Sequence, residues 1–163
     1  MRPFVPDDFR VPAVLETDEF RLRMLTIHDV VKDFDAVTSS AEHLSGVWPG
    51  GTWPEGLTVE QNLVDLGWHQ KEFQMRRSFA YTVVTLEEDR VLGCVYLDPS
   101  RKRDHDAEVC LWVRQSELEN GLDERLEAAV REWVSRDWPF ERPAFPGRSV
   151  SWEEWAELPE DES

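Results

Sequence analysis

Apolar and polar positions alternate sharply near the start of the chain. In "VLETDEFRLRML", Phe20, Leu22 and Met24 alternate with Arg21 and Arg23, the period of a half-buried strand. Thr26 and Asp29 then have the spacing of a helix capping box. Behind them Ile27, Val30, Val31, Phe34 and Val37 form one apolar helical face. "SGVWPGGTWPEG" breaks the pattern with Gly and Pro and reads as an irregular loop. Thr58 and Gln61 cap a second helix that runs to about Arg77, with Val59, Leu63, Leu66 and Phe73 on one side.

Two strand-like runs, "FAYTVVTLE" and "RVLGCVYLD", flank a short acidic turn and predict an antiparallel hairpin. The turn "PSRKRDHD" leads to a third strand, "AEVCLWVR". A loop follows, and then Leu122, Leu126, Ala129, Val130, Trp133 and Val134 fall at helical spacing on one face. "DWPFERPAFPG" is broken by proline and has room for a short strand, "VSWEEWAEL" reads as either a small helix or a strand, and the tail "PEDES" is expected to fray. The order β-α-α-β-β-β-α-(β) predicts an α/β chain with a mixed, mainly antiparallel sheet. We divide it into an N-terminal extension (1–13), one domain (14–157) and an acidic tail (158–163).

Composition narrows the class. The chain has 163 residues, 40% of them hydrophobic, with eight tryptophans, enough to bury a core. The formal net charge is −16, which argues against nucleic acid and anionic membrane surfaces as partners. No apolar run is long enough to span a membrane, and "MRPFVPDDFR" lacks the apolar region of a signal peptide. A cytoplasmic location is the resulting expectation. Fifteen arginines against three lysines on an acidic chain suit a high-salt cytoplasm, although coding bias and solubility are a plainer account. Cys94 and Cys110 sit in strand-like runs and read as reduced core thiols.

The stretch "VRQSELENGLDERLEAAVREW" raises a question of chemistry. A strand, a glycine turn at Gly121 and a helix N-terminus form a common anion site. Yet this loop carries Glu117, Glu119, Asp123 and Glu124.

Two segments carry a resemblance. "LETDEFRLRMLTIHDVVKDFDAVTSS" looks like the opening of the ribosomal-protein N-terminal acetyltransferase subgroup of the GNAT superfamily. "RVLGCVYLD" followed by "DAEVCLWVRQSELENGLDERLEAAVREWV" is similar to the central hairpin and cofactor helix of that superfamily. The resemblance covers roughly residues 14–135. It implies a GNAT-like sheet with helices on both faces and transfer of an acetyl or acyl group from acetyl-CoA or a related acyl-CoA to an amine. It also implies that pantetheine meets the main chain around Trp112, Val113 and Arg114, with the pyrophosphate at Gly121, Leu122 and Asp123. Arg114 and Arg125 are candidate phosphate contacts.

The family pattern in that loop is Gln/Arg-x-x-Gly-x-Gly/Ala. Here Leu118 stands at the Gln/Arg position and Asp123 at the second small position. A carboxylate about 5 Å from one phosphate charge costs roughly 3 kcal/mol at an effective dielectric near 20, or about two decades of affinity. Asp123 and Glu124 also suit the first turn of a helix, where acids favour the dipole.

The resemblance makes Glu108, in "AEV", the candidate general base, against the plainer reading of an ordinary strand carboxylate. No tyrosine follows Gly121, so Tyr96 on the hairpin is the candidate acid. His43, Trp48 and Trp53, in the loop between the first two helices, are candidate acceptor contacts; the alternative is a loop that packs its tryptophans on the core. "RKRDHD" reads as a solvated turn, and no metal-ligand spacing is present, His28 and His69 included.

Two functions follow. One is an N-acyltransferase acting on a small-molecule amine or a peptide N-terminus, since a basic acceptor suits the acidic surface. The other is a catalytically inactive module of the same fold that has lost CoA binding and serves binding or homodimerisation, with Trp152 and Trp155 as partner surface.

Overall fold

A computed structural model describes residues 2–162. Its centre is one six-stranded sheet in sequence order: β1 (Val14–Glu16), β2 (Phe20–Met24), β3 (Phe79–Thr85), β4 (Val91–Asp98), β5 (Ala107–Val113) and β6 (Pro143–Ala144). Neighbours are antiparallel except β5 and β6, which are parallel. "VLETDEFRLRML" is therefore two strands. Thr17 turns the chain between them by accepting from the Glu19 and Phe20 N–H groups.

Both expected capping boxes are present, at Thr26 with Asp29 and at Thr58 with Gln61. The first opens a single 3-10 turn that runs into α1 (Val30–Thr38), and a short α2 (Ala41–Leu44) follows. The second opens α3 (Val59–Gln74). The apolar faces of these helices differ from the expectation. Ile27, Val31, Val59 and Leu63 are exposed, as are Val64 and Trp68. The sides of α1 and α3 that turn inward bury Asp33, Ala36, Val37, Asn62 and Leu66. Of the expected faces, Val37 and Leu66 are buried and Val30 and Phe73 pack on the cores, but polar Asp33 and Asn62 take inward positions in place of Val31 and Leu63.

The strands after α3 follow their alternation. Even-numbered β5 residues face α1 and α3, with Trp112 in one core alongside Cys94, Leu66 and Val37. Odd-numbered ones, Val109, Leu111 and Val113, face α4 (Leu122–Asp137) in the other core. On α4 the side chains Leu122, Leu126, Val130, Trp133 and Val134 are buried as expected. Each such side chain contributes up to about 1.5–3 kcal/mol of burial.

The termini are more tightly held than the sequence suggests. Phe4, Val5, Phe9 and Val11 pack on the α4-side core, and Arg76 donates to the Pro6 and Phe9 carbonyls. "VSWEEWAEL" contains the helix α5 (Trp152–Glu157), and Trp155 is buried rather than offered to a partner. "RKRDHD" is not simply solvated. Lys102 is buried, donates to the Leu158 carbonyl at 3.1 Å and lies over the Trp155 ring. The Arg103 N–H donates to the Pro159 carbonyl and the Asp161 N–H to the Arg101 carbonyl, so two main-chain bonds join the start of the tail to this turn.

Candidate functional site

Two cavities flank β5 and share part of their walls. The first, about 470 Å³, opens between the sheet and the helices α1 and α3. The second, about 650 Å³, lies between the C-terminal half of β5, the start of α4 and the Pro146–Trp152 turn. Trp48 and Cys110 line both. Burial pushes the Cys110 thiol up to about 11, so this cysteine stays protonated and reads as wall. It is also only partly buried, unlike the fully buried Cys94.

The first cavity has an aromatic frame. Trp48 meets Trp53 at 5.7 Å and Tyr96 at 5.8 Å between ring centroids, and Trp53 lies 6.2 Å from Trp112. Trp112 Nε1 donates to the Tyr96 hydroxyl at 3.0 Å, which fixes both rings. The loop tryptophans pack on the core and also line the cavity. His43 does not join them. It lines the second cavity, and its main-chain N–H donates to the Gln115 side-chain carbonyl.

The polar side chains of the first cavity were not singled out by the sequence reading. Asp33, Asn62, Asp65, His69 and Asp98 all line it. Asp33 is only 4% exposed and accepts from the Asn62 amide at 2.9 Å. Burial pushes its carboxyl up to about 6, against that hydrogen bond, with Asp29 and Asp65 adding repulsion. Burial also raises Asp65 and Asp98, the latter against a short hydrogen bond from Ser78. His69 is pulled down by burial, so it stays neutral. Its Nδ1 has no partner among the described residues, and its ring packs on Tyr96 at 5.3 Å. One signal was available in the sequence: Asn62, Asp65 and His69 recur at i, i+3 and i+7, a polar stripe inside a helix otherwise flanked by Val and Leu.

Glu108 stands beside this cavity rather than in its lining. It pairs across the strands with Asp98, and burial raises its carboxyl, with the Asp98 charge adding to the effect. Tyr96 lines the cavity, and burial holds its hydroxyl well above the ordinary range, so it keeps its proton.

The second cavity answers the question posed by the acidic loop. β6 pairs with β5 only at Ala107 and Glu108, so the edge of β5 is open from there to its end. The Arg114 N–H donates to the Leu92 carbonyl on β4. Because strand groups alternate sides, the Val113 N–H faces the open edge and the main chain of Trp112 faces β4. Gly121 takes the left-handed conformation at φ 82°, open to glycine at little cost. It starts α4, whose first-turn N–H groups have no partners within the helix.

Asp123 points neither at open space nor back at its own helix. It accepts two hydrogen bonds from Arg148, at 2.8 and 3.0 Å. Arg148 also reaches Glu127 at 2.8 Å and the Leu111 carbonyl on the open edge at 3.2 Å. Burial pulls the Glu127 carboxyl up, but Arg148 and Arg131 hold it below its ordinary value. Gly147, at φ 80° with the Trp152 indole packed where a side chain would be, forms the turn that delivers Arg148.

The two arginines named as phosphate contacts are engaged elsewhere. Arg114 is buried and donates to the Val91 carbonyl at 3.0 Å and to Asp35 at 2.7 Å. Arg125 pairs with Glu19 at 2.8 Å and donates to the Asn120 carbonyl. Leu118 lines the cavity and packs on the core. The arginine that does occupy this site, Arg148, lies beyond the stretch that carried the resemblance.

Among the described residues, no group of three His, Cys, Asp or Glu side chains is placed to hold a metal ion, and no helix is long and apolar enough to cross a membrane.

No family sequence profile and no curated protein sequence matches the chain. Solved structures do. The ribosomal-protein-S5-alanine acetyltransferase from Vibrio fischeri is similar with a TM-score of 0.60 at 17% identity, over 76% of this chain and 67% of that one. RimL, the ribosomal L7/L12 α-N-protein acetyltransferase in complex with coenzyme A, gives 0.62 at 14% identity, over 76% and 68%. The microcin C7 self-immunity acetyltransferase MccE, in complex with acetyl-CoA and AMP, gives 0.58 at 11%, over 77% and 68%. At such identities the likeness establishes one thing, that this chain has the GNAT fold.

Proposed function

We propose that the protein is an N-acyltransferase that moves an acyl group from an acyl-CoA to an amine. The observation that carries this reading is that the two cavities share Cys110 and Trp48 in their walls. An acidic aromatic chamber lies on one side of β5 and an open strand edge at Val113 on the other. An amine in one and a thioester in the other would approach each other across β5. Two of the structurally similar proteins are named as complexes with coenzyme A or acetyl-CoA, which supports the same donor here.

The residues at hand fit a CoA-type donor in part. The open edge at Val113 suits the amide groups of a pantetheine arm, and the first turn of α4 suits an anion. Arg148 changes the electrostatics of the loop. Paired with it, Asp123 no longer acts as a lone charge, and with both terminal nitrogens engaged by Asp123, Glu127 and Leu111 the donor left for a phosphate is the Arg148 Nε–H. Bound there, the acyl-CoA supplies the reactive carbonyl. The protein's own groups handle protons and position. Asp98, backed by Glu108, accepts the proton of the attacking amine, because each carboxyl is raised toward neutrality and Asp98 lines the chamber. Tyr96, held protonated, is the candidate proton donor to the leaving thiolate. Trp48 and Trp53 orient the acceptor, and His69 offers a second neutral proton acceptor.

A second reading is favoured by one specific contact. Arg148 already bonds the Leu111 carbonyl, where a pantetheine amide would pair. If that contact is permanent, the protein is a binding module without acyl transfer. Calorimetric titration with acetyl-CoA separates the two readings. Saturable binding that Arg148→Ala weakens supports the enzyme, with the guanidinium as phosphate contact. Neither heat nor thermal shift at millimolar acetyl-CoA would sink it.

A further inference from the structure

The first cavity carries more negative charge than acyl transfer needs. Asp33 is almost wholly buried, yet its one hydrogen bond among the described residues comes from the neutral Asn62 amide. Asp98 is likewise held by a neutral hydroxyl, that of Ser78. None of the side chains lining the cavity is a lysine or arginine. Buried carboxylates in proteins are normally paired with a cation or neutralised. On the other side of β5 this chain supplies the cation itself, with Arg148 between Asp123 and Glu127.

The acids also stand on different walls. Asp33 is carried by α1 and held by Asn62 of α3, whereas Asp98 ends β4 on the sheet beside Ser78. Cys110, which lines both cavities, is the cross-strand partner of Tyr96, two residues before Asp98 on the same strand, so Asp98 attends to the sheet side of an occupant and Asp33 to its helix side. The aromatic rings between them favour a cation in the same space.

Carboxylates beside the reacting nitrogen alone would work against catalysis, because they hold an amine in its charged, non-nucleophilic form. A separate cation subsite resolves this: one charge anchors the molecule while the other amine gives its proton to Asp98. We propose that Asp33, positioned by Asn62 and supported by Asp65, forms a distal subsite that binds a second positive charge of the acceptor, so that the preferred acceptor is a small organic dication rather than a monoamine. This deepens the acyltransferase reading by naming its acceptor class, but the binding itself requires no acyl donor.

The test measures binding without acyl-CoA. Cadaverine and pentylamine share a five-carbon chain and differ in the second amine. Calorimetry at low ionic strength and pH 8 should give cadaverine at least tenfold tighter binding than pentylamine. In Asp33→Asn, which keeps an acceptor for the Asn62 amide, that advantage should fall below threefold while pentylamine binding stays within twofold. Asp65→Asn should reduce the advantage less. Equal affinity for the two amines, an advantage that survives Asp33→Asn, or no binding of either would overturn the proposal. Cadaverine selectivity in a protein that does not bind acetyl-CoA would uphold the subsite and sink the enzyme.

Discussion

The two sides of β5 treat negative charge in opposite ways. On the α4 side, Asp123 and Glu127 share Arg148, and Glu19 holds Arg125 nearby. On the α1 and α3 side, Asp33, Asp65 and Asp98 line an aromatic cavity whose walls carry no lysine or arginine. One side has a counter-charge from within the chain. The other keeps a buried carboxylate, Asp33, with Asp98 half-buried and Asp65 exposed beside it, that a ligand could neutralise. A buried charge left without a partner costs stability, so its retention in a cavity is an argument for binding. The acidic side chains of a protein with net charge −16 are therefore of two kinds, and only their local partners distinguish them.

The largest effect expected from breaking this contrast is on rate. Asp98→Asn removes the carboxyl that lines the chamber, and steady-state acyl transfer should fall about a hundredfold or more. Glu108→Gln, one strand over, should cost about tenfold. A rate unchanged in both variants would remove the carboxylate pair from the chemistry.

Stability gives the next largest effect, and its sign is specific. The Asp33 carboxyl is raised by burial from 3.8 to about 6. A raised acid favours folding while it is protonated in both states, and that benefit is lost as pH rises from about 4 through 6. Asp33→Asn, which cannot ionise, should therefore raise stability at pH 8 by up to about 3 kcal/mol and leave it nearly unchanged at pH 4. Denaturant melts at the two pH values check this, and an equal shift at both would refute the account of a buried charge.

On the other side of β5 the same kind of change should destabilise. Arg148→Ala strands two partly buried carboxylates and should cost about 1–3 kcal/mol. Adding Asp123→Ala should restore part of that loss, a coupling of about 1 kcal/mol in a double-mutant cycle. Smallest of all, Arg125→Ala breaks an exposed pair with Glu19 and should leave the denaturant midpoint unchanged within error.

Much of this architecture was legible in the sequence, for identifiable reasons. The capping boxes at Thr26 and Thr58, the hairpin of β3 and β4, and the buried face of α4 are local patterns with a fixed period. The inward face of α3 is legible at Leu66 and Phe73 but not at Val59 and Leu63, because the helix turns the polar Asn62 and His69 inward around a cavity. No local pattern announces a cavity. Arg148 escaped for a different reason. Its partners lie 25, 21 and 37 residues away, and it follows a proline-broken stretch with no periodicity. Thus the sequence presented Asp123 as an obstacle to phosphate, while the fold supplies its counter-charge from a distant turn. The likeness of the fold to GNAT acetyltransferases rests on the order of the elements, whereas the site rests on side chains that this order brings together.

The most direct test of the account is one measurement of product. Wild-type protein is incubated with acetyl-CoA and cadaverine, and the mass of the amine is followed together with release of the CoA thiol. The account predicts monoacetylated cadaverine in equal amount to released thiol, with far slower transfer to pentylamine at the same concentration. Binding of both acetyl-CoA and cadaverine without acetyl transfer or thiol release would contradict it.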